Sequence, residues 1–404
     1  MVNIGLLGLG TVGTGIVEIL NDRKEQLKVL TGKEINIKKI LVRNLKKERG
    51  VKLEEGILTM DFNEILRDKE INIIVEVTGD LECSYEYITE ALKSGKNVVT
   101  ANKAVVSKYF EELSSLASEK NLAFLYEGSV GGGIPVIKAL REQLSLNKIS
   151  EVQGILNGTC NYILTSMIDE GKSYDEALKI AQELGYAESD PTDDLEGYDT
   201  LRKLRILATL SLQGKITEED IVLNGISSIK SFDINNIKAM DSTIKLIGEV
   251  KVCEYGFTAV VQPVVVKNNS HFANVNNAFN SVLFKGDHIG ELKFYGAGAG
   301  KLATANAVLS DVLDIILDSC RKGNPLGKNN LKNNNDKLKG NYYLRISNSN
   351  KDTIGALRDI SNKILREGSN IAIITKELEI AKINNLISSL RIDKKDYFLA
   401  RILL

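Results

Sequence analysis

The sequence predicts an α/β chain in three parts: a parallel-sheet domain, a mixed α+β domain with an open sheet, and a small α+β module at the end. In the first third, short apolar runs alternate with amphipathic helical segments, the pattern of a parallel sheet with crossover helices. From Ile149 the pattern changes, and later segments rich in β-branched residues, such as Phe257–Val266, indicate strands. Beyond the polar, asparagine-rich stretch Arg321–Gly340, strand and helix patterns resume.

Length and composition exclude several classes of protein. The 404 residues are enough for two or three domains with separate cores. The 53 acidic and 52 basic residues give a net charge of −1, and no basic stripe indicates a nucleic acid or an anionic membrane as a partner. No apolar run reaches the ~18 residues of a membrane-spanning helix, and a first strand at Met1–Asn3 leaves no room for a signal peptide. The four cysteines form no CxxC pair, so we expect reduced thiols in a cytoplasmic protein.

The first strand pattern, Val2–Leu7, runs into a glycine-rich turn, after which apolar residues recur at helical spacing. Glycines in such a turn let the backbone approach a pyrophosphate, and the N-terminus of the following helix stabilises its charge. An ordinary tight turn between a strand and a helix is the alternative. In this context the pattern favours a Rossmann-type domain that binds a dinucleotide. The candidate cofactor residues are Gly8, Gly10, Thr11, Val12 and Gly13.

The second strand pattern, Ile35–Val42, ends at Arg43-Asn44. An NAD site would place an Asp or Glu here against the ribose 2′-hydroxyl. A cation at this position favours the 2′-phosphate of NADP, although NAD remains possible. Alternatively, Arg43 is a solvated surface residue.

Two further strand patterns, Ile71–Val77 and Asn97–Thr100, end just before Thr78 and Lys103. Ligands of a parallel sheet gather at the carboxyl ends of its strands, so both residues are candidates for the cofactor site. Lys103 could otherwise be a surface charge. A second glycine-rich helix start, Tyr295–Gly300, adds Gly300 to the cofactor candidates and predicts that the chain returns to the first domain.

The loop from Glu127 to Pro135 contains three consecutive glycines. Exposed backbone carbonyls near one carboxylate could hold a hard monovalent cation. The same residues could equally form a hinge.

The segment Gly185–Leu210 gathers many carboxylates into a short loop and the helix after it. Five carboxylates lie in its loop, and the helix that follows carries Asp199, Arg202 and Lys203. Unpartnered carboxylates repel one another, so we expect a cation opposite them. On spacing alone, Asp199 and Lys203 could be an ordinary i, i+4 pair on a helix surface. The five loop carboxylates are Glu188, Asp190, Asp193, Asp194 and Glu196.

These patterns predict four regions. Residues 1–130, completed by 296–320, form the predicted NADP-binding domain. Residues 131–295 form the mixed α+β domain, which is the catalytic and dimerisation domain in the family that the motifs below resemble. Residues 321–340 form a linker, and residues 341–404 form the final module. In that module the helical pattern Ile354–Leu365 and the helical pattern Glu379–Leu390 enclose about one strand, Asn370–Thr375.

Taken together, these stretches resemble the homoserine dehydrogenase family. Six motifs carry the resemblance in order along the chain: GLLGLGTVG, TANK, LYEGSVGGGIP, GILNGTCNYIL, GYAESDPTDDLEGYDTLRK and YGAGAGKLAT. Several motifs in register over most of a chain are far more specific than any one of them. The resemblance implies NAD(P)-linked interconversion of L-aspartate 4-semialdehyde and L-homoserine in threonine and methionine biosynthesis, by a homodimer or a dimer of dimers.

The same resemblance implies roles for individual residues. Lys203 would be the general acid and base, and Lys103 would lie beside cofactor and substrate. Glu188, Asp194 and Asp199 would bind the amino acid end of the substrate. A sodium ion would bind largely through backbone oxygens of Glu127, Val130, Gly132 and Ile134.

The last region resembles an ACT domain, an amino-acid-sensing module with the order βαββαβ. Since only about one strand is predicted between the two helices, the sequence predicts a shortened module, which puts threonine feedback in doubt and leaves open what the module binds.

Two other functions use the same residues differently. Cys160 could be the nucleophile of a cysteine-dependent semialdehyde dehydrogenase, but no histidine lies near it in sequence. The chain could also be an amino-acid sensor that keeps the nucleotide domain only as a scaffold. The scarcity of histidine favours lysine as the acid, because a desolvated lysine can have a pKa near neutrality.

Overall fold

The computed structural model describes residues 1–254, 256–320, 323–327, 329, 331–347 and 351–403, the first two residues of the last range by backbone alone. Part of the predicted linker, residues 321, 322, 328 and 330, lies outside this description. The strands are β1 Val2–Leu7, β2 Ile35–Leu41, β3 Leu58–Thr59, β4 Ile71–Glu76, β5 Asn97–Thr100, β6 Phe124–Leu125, β7 Ile149–Ile155, β8 Val222–Leu223, β9 Ser242–Cys253, β10 Gly256–Lys267, β11 Phe279–Gly286, β12 Gly290–Ala297, β13 Lys339–Ile346, β14 Ser361–Glu367, β15 Asn370–Thr375, β16 Leu378–Glu379 and β17 Tyr397–Leu403. The helices are α1 Thr11–Asp22, α2 Lys24–Thr31, α3 Phe62–Leu66, α4 Leu81–Lys93, α5 Lys103–Lys108, α6 Phe110–Glu119, α7 Val136–Gln143, α8 Gly158–Asp169, α9 Tyr174–Glu183, α10 Thr192–Leu195, α11 Tyr198–Leu212, α12 Ser231–Lys238, α13 Lys301–Ile316, α14 Lys351–Ile360 and α15 Ile380–Ser389.

The chain divides into two compact units. The first contains Met1–Asn147, Thr209–Thr217 and Gly296–Asn329, and the second contains the remaining described residues. These bounds differ from the predicted regions. Residues 131–147 and Thr209–Thr217 belong to the first unit, as do the described linker residues up to Asn329, and the final module shares a unit with the rest of the predicted catalytic domain. No helix among the described residues is long and apolar enough to cross a bilayer.

The first unit is built on a parallel sheet with the order β3-β2-β1-β4-β5-β6. Its strands pair in parallel throughout, as the alternation of apolar runs and helices predicts. Helices α1 and α13 pack together in its core, and a Cβ added to Gly15 of α1 would lie 2.6 Å from the carbonyl oxygen of Lys301. Because α13 contributes to this core, Gly296–Asn329 belongs with the amino-terminal sheet.

The second unit is a mixed sheet with the order β12-β11-β7-β9-β10-β17-β13-β15-β14. Its centre is the long antiparallel pair β9 and β10, whose residues are almost all buried. This arrangement confirms the predicted α+β domain with an open sheet.

The final module is more complete than the sequence pattern indicates. Residues 361–367 form β14, so the predicted helix Ile354–Leu365 is wrong in its second half, and two strands, β14 and β15, separate the helices. A two-residue turn joins these strands, with Gly368 at a φ of +57°. Apart from the two-residue strand β16, which pairs with the start of β13, the module therefore has the order βαββαβ, and its longer strands lie in the order β17-β13-β15-β14.

The module also pairs directly with the strands of the predicted catalytic domain, β7 to β12, which are the catalytic strands. Its last strand, β17, pairs in parallel with β10, from Val264 opposite Arg401 to Val266 opposite Leu403. Its first strand contributes Arg345, which is fully buried and bound to Asp233 of α12 at 3.1 Å. The module and the catalytic strands therefore form one continuous sheet.

Candidate active site

The glycine turn after β1 has the geometry that a bound pyrophosphate requires. Gly8 has a φ of +99°, and a Cβ there would lie 2.9 Å from the carbonyl oxygen of Val77. A Cβ at Gly13 would overlap the carbonyl oxygen of Gly8. At Gly10, by contrast, no described atom other than those of its chain neighbours lies within 4 Å of a built Cβ, so packing within the protein does not require glycine there. This space beside the backbone fits a ligand that approaches Gly10 closely.

Helix α1 begins at Thr11 and Val12 directly after this turn. No described side chain caps it, since its N-cap residue is Gly10. Uncapped first-turn N–H groups and the positive end of the helix dipole suit a phosphate. The five candidate residues of the glycine turn thus lie together between β1 and the first turn of α1.

Arg43 lies at the end of β2 with its side chain 81% exposed. Its nearest ionic partner is the carboxylate of Asp80 at 3.6 Å, a long and solvated pair. The guanidinium is therefore accessible to a phosphate group.

Thr78 is held by a buried carboxylate that sequence reasoning missed. Glu76, the last residue of β4, is fully buried. It accepts hydrogen bonds at 2.7 Å from both the N–H and the hydroxyl of Thr78, at 2.8 Å from Ser84 and at 2.7 Å from Thr100 of β5. Glu76 thus links the carboxyl ends of two neighbouring strands.

Lys103 is the first residue of α5, and its position follows from the same network. Asn102 caps the helix by accepting from the N–H groups of Ala104 and Val105. Its own N–H donates to the hydroxyl of Thr100 at 3.0 Å. Lys103 therefore begins a helix whose start is fixed to the strand end that Glu76 organises.

Two glycine-rich segments of the first unit, residues 127–135 and residues 296–300, lie against each other. A Cβ at Gly132, whose φ is +59°, would lie 2.6 Å from the carbonyl oxygen of Gly298. The N–H of Gly133 donates to the carbonyl oxygen of Ala297 at 3.2 Å. Gly300 precedes α13 at a φ of +134°, which side chains disfavour. Close packing between backbones is thus one reason for these glycines.

The carboxylate of Glu127 is already used within the protein. It accepts from the N–H groups of Ile137 and Lys138 at 2.9 and 2.7 Å, at the start of α7. Burial raises the pKa of Glu127 to about 7, although these hydrogen bonds oppose the shift. Asp311, fully buried beside it, accepts from the N–H of Glu127 at 2.8 Å, and burial raises its pKa well above the usual range.

For the predicted cation, this leaves backbone oxygens rather than the carboxylate. Among them, the carbonyl oxygen of Ile134 also accepts from the N–H of Val136 at 2.8 Å. Within the described part of the chain, no group of three or more His, Cys, Asp or Glu side chains is arranged to hold a metal. The carbonyl oxygen of Glu127 likewise accepts from the N–H of Val130, at 3.4 Å. The other two candidate oxygens, those of Val130 and Gly132, lie in the loop that precedes α7.

In the second unit, Asp199 and Lys203 form a buried pair one turn apart on α11. The Lys203 ammonium donates to Oδ2 of Asp199 at 2.7 Å and to the carbonyl oxygen of Leu156 at 2.7 Å. The two side chains are 3% and 10% exposed, so this is not a solvated surface pair. The alternative of an ordinary helix-surface pair is therefore wrong.

Asn157 joins this pair to Asp194. Its amide nitrogen donates to Oδ1 of Asp194 at 2.7 Å and to Oδ2 of Asp199 at 2.8 Å. Two candidate substrate-binding carboxylates are thereby held on one amide group, next to Lys203. On the other side, Asn280 donates to the carbonyl oxygen of Leu156 at 2.9 Å.

The other acidic residues of the segment have different surroundings. Glu188 is exposed, and its backbone carbonyl accepts from Gln182 at 3.1 Å. Asp193 pairs with Arg202, and Glu196 accepts from Ser227 and, at 2.6 Å, from Lys394. The structure thus brings Asp194 and Asp199 together with Lys203 and leaves Glu188 on the surface.

Cys160 lacks the surroundings of a nucleophile. It is fully buried, and its thiol donates to the carbonyl oxygen of Asp194 at 3.1 Å. Burial, with Asp194 and Asp199 nearby, raises its pKa well above the usual range, so the reactive thiolate is disfavoured. Its position is structural, which argues against the cysteine-dependent alternative.

Sequence reasoning missed three polar residues of the two sites: Glu76, Asn157 and Asn280. Asn157 precedes a helix and accepts from the N–H of Cys160, so the pattern signals its role as an N-cap. Nothing in the local pattern signals its second contact, with carboxylates 37 and 42 positions away.

The parallel sheet, the open glycine turn at an uncapped helix, and the buried Lys203–Asp199 pair define a dinucleotide-dependent dehydrogenase. Comparisons with known proteins agree. The family model described as homoserine dehydrogenase, NAD binding domain, matches residues 8–127, and the model described as homoserine dehydrogenase matches residues 135–313. The chain belongs to the homoserine dehydrogenase family, and it is an NAD(P)-dependent oxidoreductase.

Individual relatives support this assignment over most of the chain. Homoserine dehydrogenase of Bacillus subtilis is 39% identical over 374 residues, covering 91% of this chain and 86% of the relative. A crystal structure of a homoserine dehydrogenase from Thiobacillus denitrificans superimposes with a TM-score of 0.90 at 35% identity, covering 100% of this chain and 98% of that one. A hyperthermophilic archaeal homoserine dehydrogenase in complex with NADPH has a TM-score of 0.68 at 26% identity, covering 80% and 99%.

Proposed function

We propose that this chain reduces L-aspartate 4-semialdehyde to L-homoserine and catalyses the reverse oxidation, with Lys203 as the general acid and base. The observation that carries this role is the burial of the Lys203 ammonium between Asp199 and a backbone carbonyl. When bound, the nicotinamide cofactor supplies or accepts the hydride. Lys203 donates its proton to the aldehyde oxygen in reduction and removes the hydroxyl proton in oxidation.

The carboxylates beside Lys203 suit the amino acid end of this substrate. Asp194 is half-buried, and the Asn157 amide donates to it and to Asp199. A substrate ammonium beside Asp194 would therefore bind a carboxylate whose position Asn157 fixes. Asp199 faces Lys203 and is better placed to hold the lysine than the substrate. Because Glu188 is exposed, we assign ammonium binding first to Asp194.

Substitution of the lysine tests the mechanism. We expect Lys203→Ala to lower kcat by about 100-fold or more, since general acid–base catalysis contributes on that scale. The dissociation constant of NADPH, measured by fluorescence titration, should change little. Lys251→Ala, in the exposed part of β9, is the matched control and should retain full activity. Near-normal turnover of the Lys203 variant would refute the assigned role.

We infer that the cofactor is NADP rather than NAD, with Arg43 binding the 2′-phosphate. The exposed guanidinium supports this choice, as does the NADPH bound by the archaeal relative. A charge-assisted hydrogen bond contributes about 1.5–3 kcal/mol. Arg43→Ala should therefore raise the KM for NADPH by about 10- to 100-fold and leave the KM for NADH unchanged. Arg23→Ala serves as the exposed control in the same unit. Equal effects on both cofactors would contradict the assignment.

We further infer a monovalent cation, most simply sodium, held by backbone oxygens of the loop Glu127–Ile134. The fit is partial, because the Glu127 carboxylate binds the start of α7 and the Ile134 carbonyl already accepts one hydrogen bond. Such an ion would fix the loop that packs against Gly298. If sodium chloride raises the thermal unfolding midpoint no more than choline chloride does at equal ionic strength, the site does not exist.

The final module is, we propose, an ACT-like amino-acid-sensing domain. Its βαββαβ order supports this proposal and removes the reason for doubting a response to threonine. Initial rates with and without threonine test it, and no inhibition at saturating threonine would count against it.

We further propose that the enzyme acts as a homodimer or a dimer of dimers. Light scattering on the eluted protein tests this proposal, and a monomeric mass would refute it.

A further inference from the structure

Asn157 makes more contacts than a helix cap requires. Its side-chain oxygen accepts from the N–H of Cys160 at 2.8 Å and so caps α8. The cap leaves the amide nitrogen unused, yet both of its N–H groups donate to carboxylates, one on Asp194 and one on Asp199. The residue is 4% exposed, so both hydrogen bonds are shielded from water.

This arrangement has an electrostatic consequence. Two carboxylates on one small group repel each other, and their repulsion is greatest where water is excluded. Asn157 supplies one N–H to each carboxylate without adding a charge that would compete with Lys203. The Asp199 oxygen that it binds is the same Oδ2 that accepts from Lys203. The position of the lysine therefore depends on a residue 46 positions earlier in the chain.

Asn280 provides a second support for the lysine. It donates to the carbonyl oxygen of Leu156, which is also the second acceptor of Lys203. Asn280 is fully buried, and its side-chain oxygen has no hydrogen-bond partner among the described residues. An unsatisfied buried acceptor is unfavourable, so local stability alone does not explain an asparagine here.

We propose that Asn157 and Asn280 are positioning residues that hold the Lys203 ammonium in one place, Asn157 through Asp199 and Asn280 through the Leu156 carbonyl. This inference rests on the proposed role of Lys203 in proton transfer. Neither asparagine transfers a proton itself. Each fixes one of the two described acceptors of the ammonium, Oδ2 of Asp199 and the carbonyl oxygen of Leu156.

Loss of either asparagine should have a kinetic signature. An acceptor that has lost one donor binds the ammonium proton more tightly, so Lys203 gives up that proton at higher pH. The rise of kcat with pH in homoserine oxidation should therefore move to higher pH, by about half a unit or more. Because the lysine is also held less firmly, kcat should fall by about 10- to 100-fold. A role in folding alone would lower the unfolding midpoint without moving the pH profile.

The test uses Asn157→Ser and Asn280→Ala in the full chain. Serine retains the ability to cap α8 but cannot reach both carboxylates, so it separates the cap from the bridge. If Asn157→Ser does not fold, Asn157→Thr keeps a cap of the same kind. The matched control is Asn335→Ala. Asn335 is also a buried asparagine of the second unit, and it accepts from the N–H of Ala259 and donates to the carbonyl of Asp220, both at 2.7 Å.

We expect the Asn157 and Asn280 variants to shift the pH profile of kcat, while Asn335→Ala loses stability and keeps the wild-type profile. A wild-type profile in both site variants, with Lys203→Ala inactive, would overturn this inference and leave the proposed function intact. An equal shift in Asn335→Ala would also overturn it, because the effect would then follow from stability. An active Lys203→Ala enzyme would instead refute the proposed role of Lys203 in proton transfer, on which this inference rests.

Discussion

Glu76, Glu127 and Asp199 are carboxylates that the fold removes almost completely from water, at 0%, 3% and 2% exposure. Burying a carboxylate is costly unless donors or cations replace the lost water. Glu76 has donors from two strand ends, Glu127 has the first N–H groups of a helix, and Asp199 has a lysine and an asparagine. Only Asp199 has a cation within hydrogen-bond distance among these described contacts, and that cation, Lys203, is the group proposed to transfer the proton.

Glu127 should make the stability of the protein depend on pH. Its pKa is about 7 when folded, against an ordinary value of 4.5. Between these values the folded state keeps a proton that the unfolded state has lost, so stability falls as pH rises from 4.5 to 7. One pKa unit corresponds to 1.36 kcal/mol, which makes the loss about 3 kcal/mol. Glu127→Gln cannot ionise and should not show this loss.

The measurement is the free energy of unfolding of both proteins by urea at pH 5 and pH 8. Between pH 5 and pH 8, the free energy of unfolding of the wild type should fall by about 3 kcal/mol relative to that of Glu127→Gln. Glu119→Gln, at an exposed position on α6, should track the wild type. A difference that is the same at both pH values would show that Glu127 is ionised throughout.

At the residue scale, contacts that are local in sequence are the ones that the sequence predicts. The Asp199–Lys203 spacing places both side chains on one helix face, and the glycine turn is contiguous. Asn157 and Asn280 approach the lysine only through the fold, from 46 positions before it and 77 after. No periodicity or turn signal encodes such contacts, so these residues could not be found from one sequence.

At the scale of elements, the error at β14 has a physical cause. Ile354, Leu357 and Ile360 lie at helical spacing, and Ile364 continues that period past the end of α14 at Ile360. The signal that could have corrected this is Gly368-Ser369 between two apolar runs, which is typical of a hairpin turn. The parallel strands of the first unit were predicted more accurately because glycine or polar residues follow each apolar run.

Strand β13 is attached to α12 by a buried ion pair. Nε of Arg345 binds both oxygens of Asp233 at 3.1 Å, and Tyr343 donates to the same carboxylate at 2.9 Å. Removing one partner of a buried pair leaves an uncompensated charge and costs about 3–5 kcal/mol. We therefore expect Arg345→Met to lower the free energy of unfolding by that amount.

Pairing this variant with a second substitution separates charge from packing. Arg345→Met combined with Asp233→Asn removes both charges, so it should recover much of the stability that the single variant loses. Urea titrations of the two variants and the wild type give the comparison. A double variant less stable than Arg345→Met would mean that hydrogen bonding by Asp233, rather than its charge, controls this contact.

For the molecule as a whole, the final module stabilises the catalytic strands as well as itself. Strand β17 pairs with β10 on one side and with β13 on the other, and Arg401 on it binds Glu249 of β9 at 2.7 Å. The apolar cluster of the module includes Val260 of β10. Removing the module would therefore leave an apolar edge strand unpaired, which promotes aggregation.

Two truncations distinguish this arrangement from an independent regulatory module. One chain ends after Lys337 and lacks the module. The other ends after Asp393 and lacks β17 and the short turn Lys394–Asp396 that precedes it. Three large buried side chains of β17, Phe398, Leu399 and Ile402, each contribute about 1.5–3 kcal/mol, so their loss approaches the whole stability of a domain. Both chains should therefore lose soluble expression and dehydrogenase activity. If the module were independent of the catalytic strands, the chain ending after Lys337 would instead keep the wild-type kcat and a cooperative thermal transition.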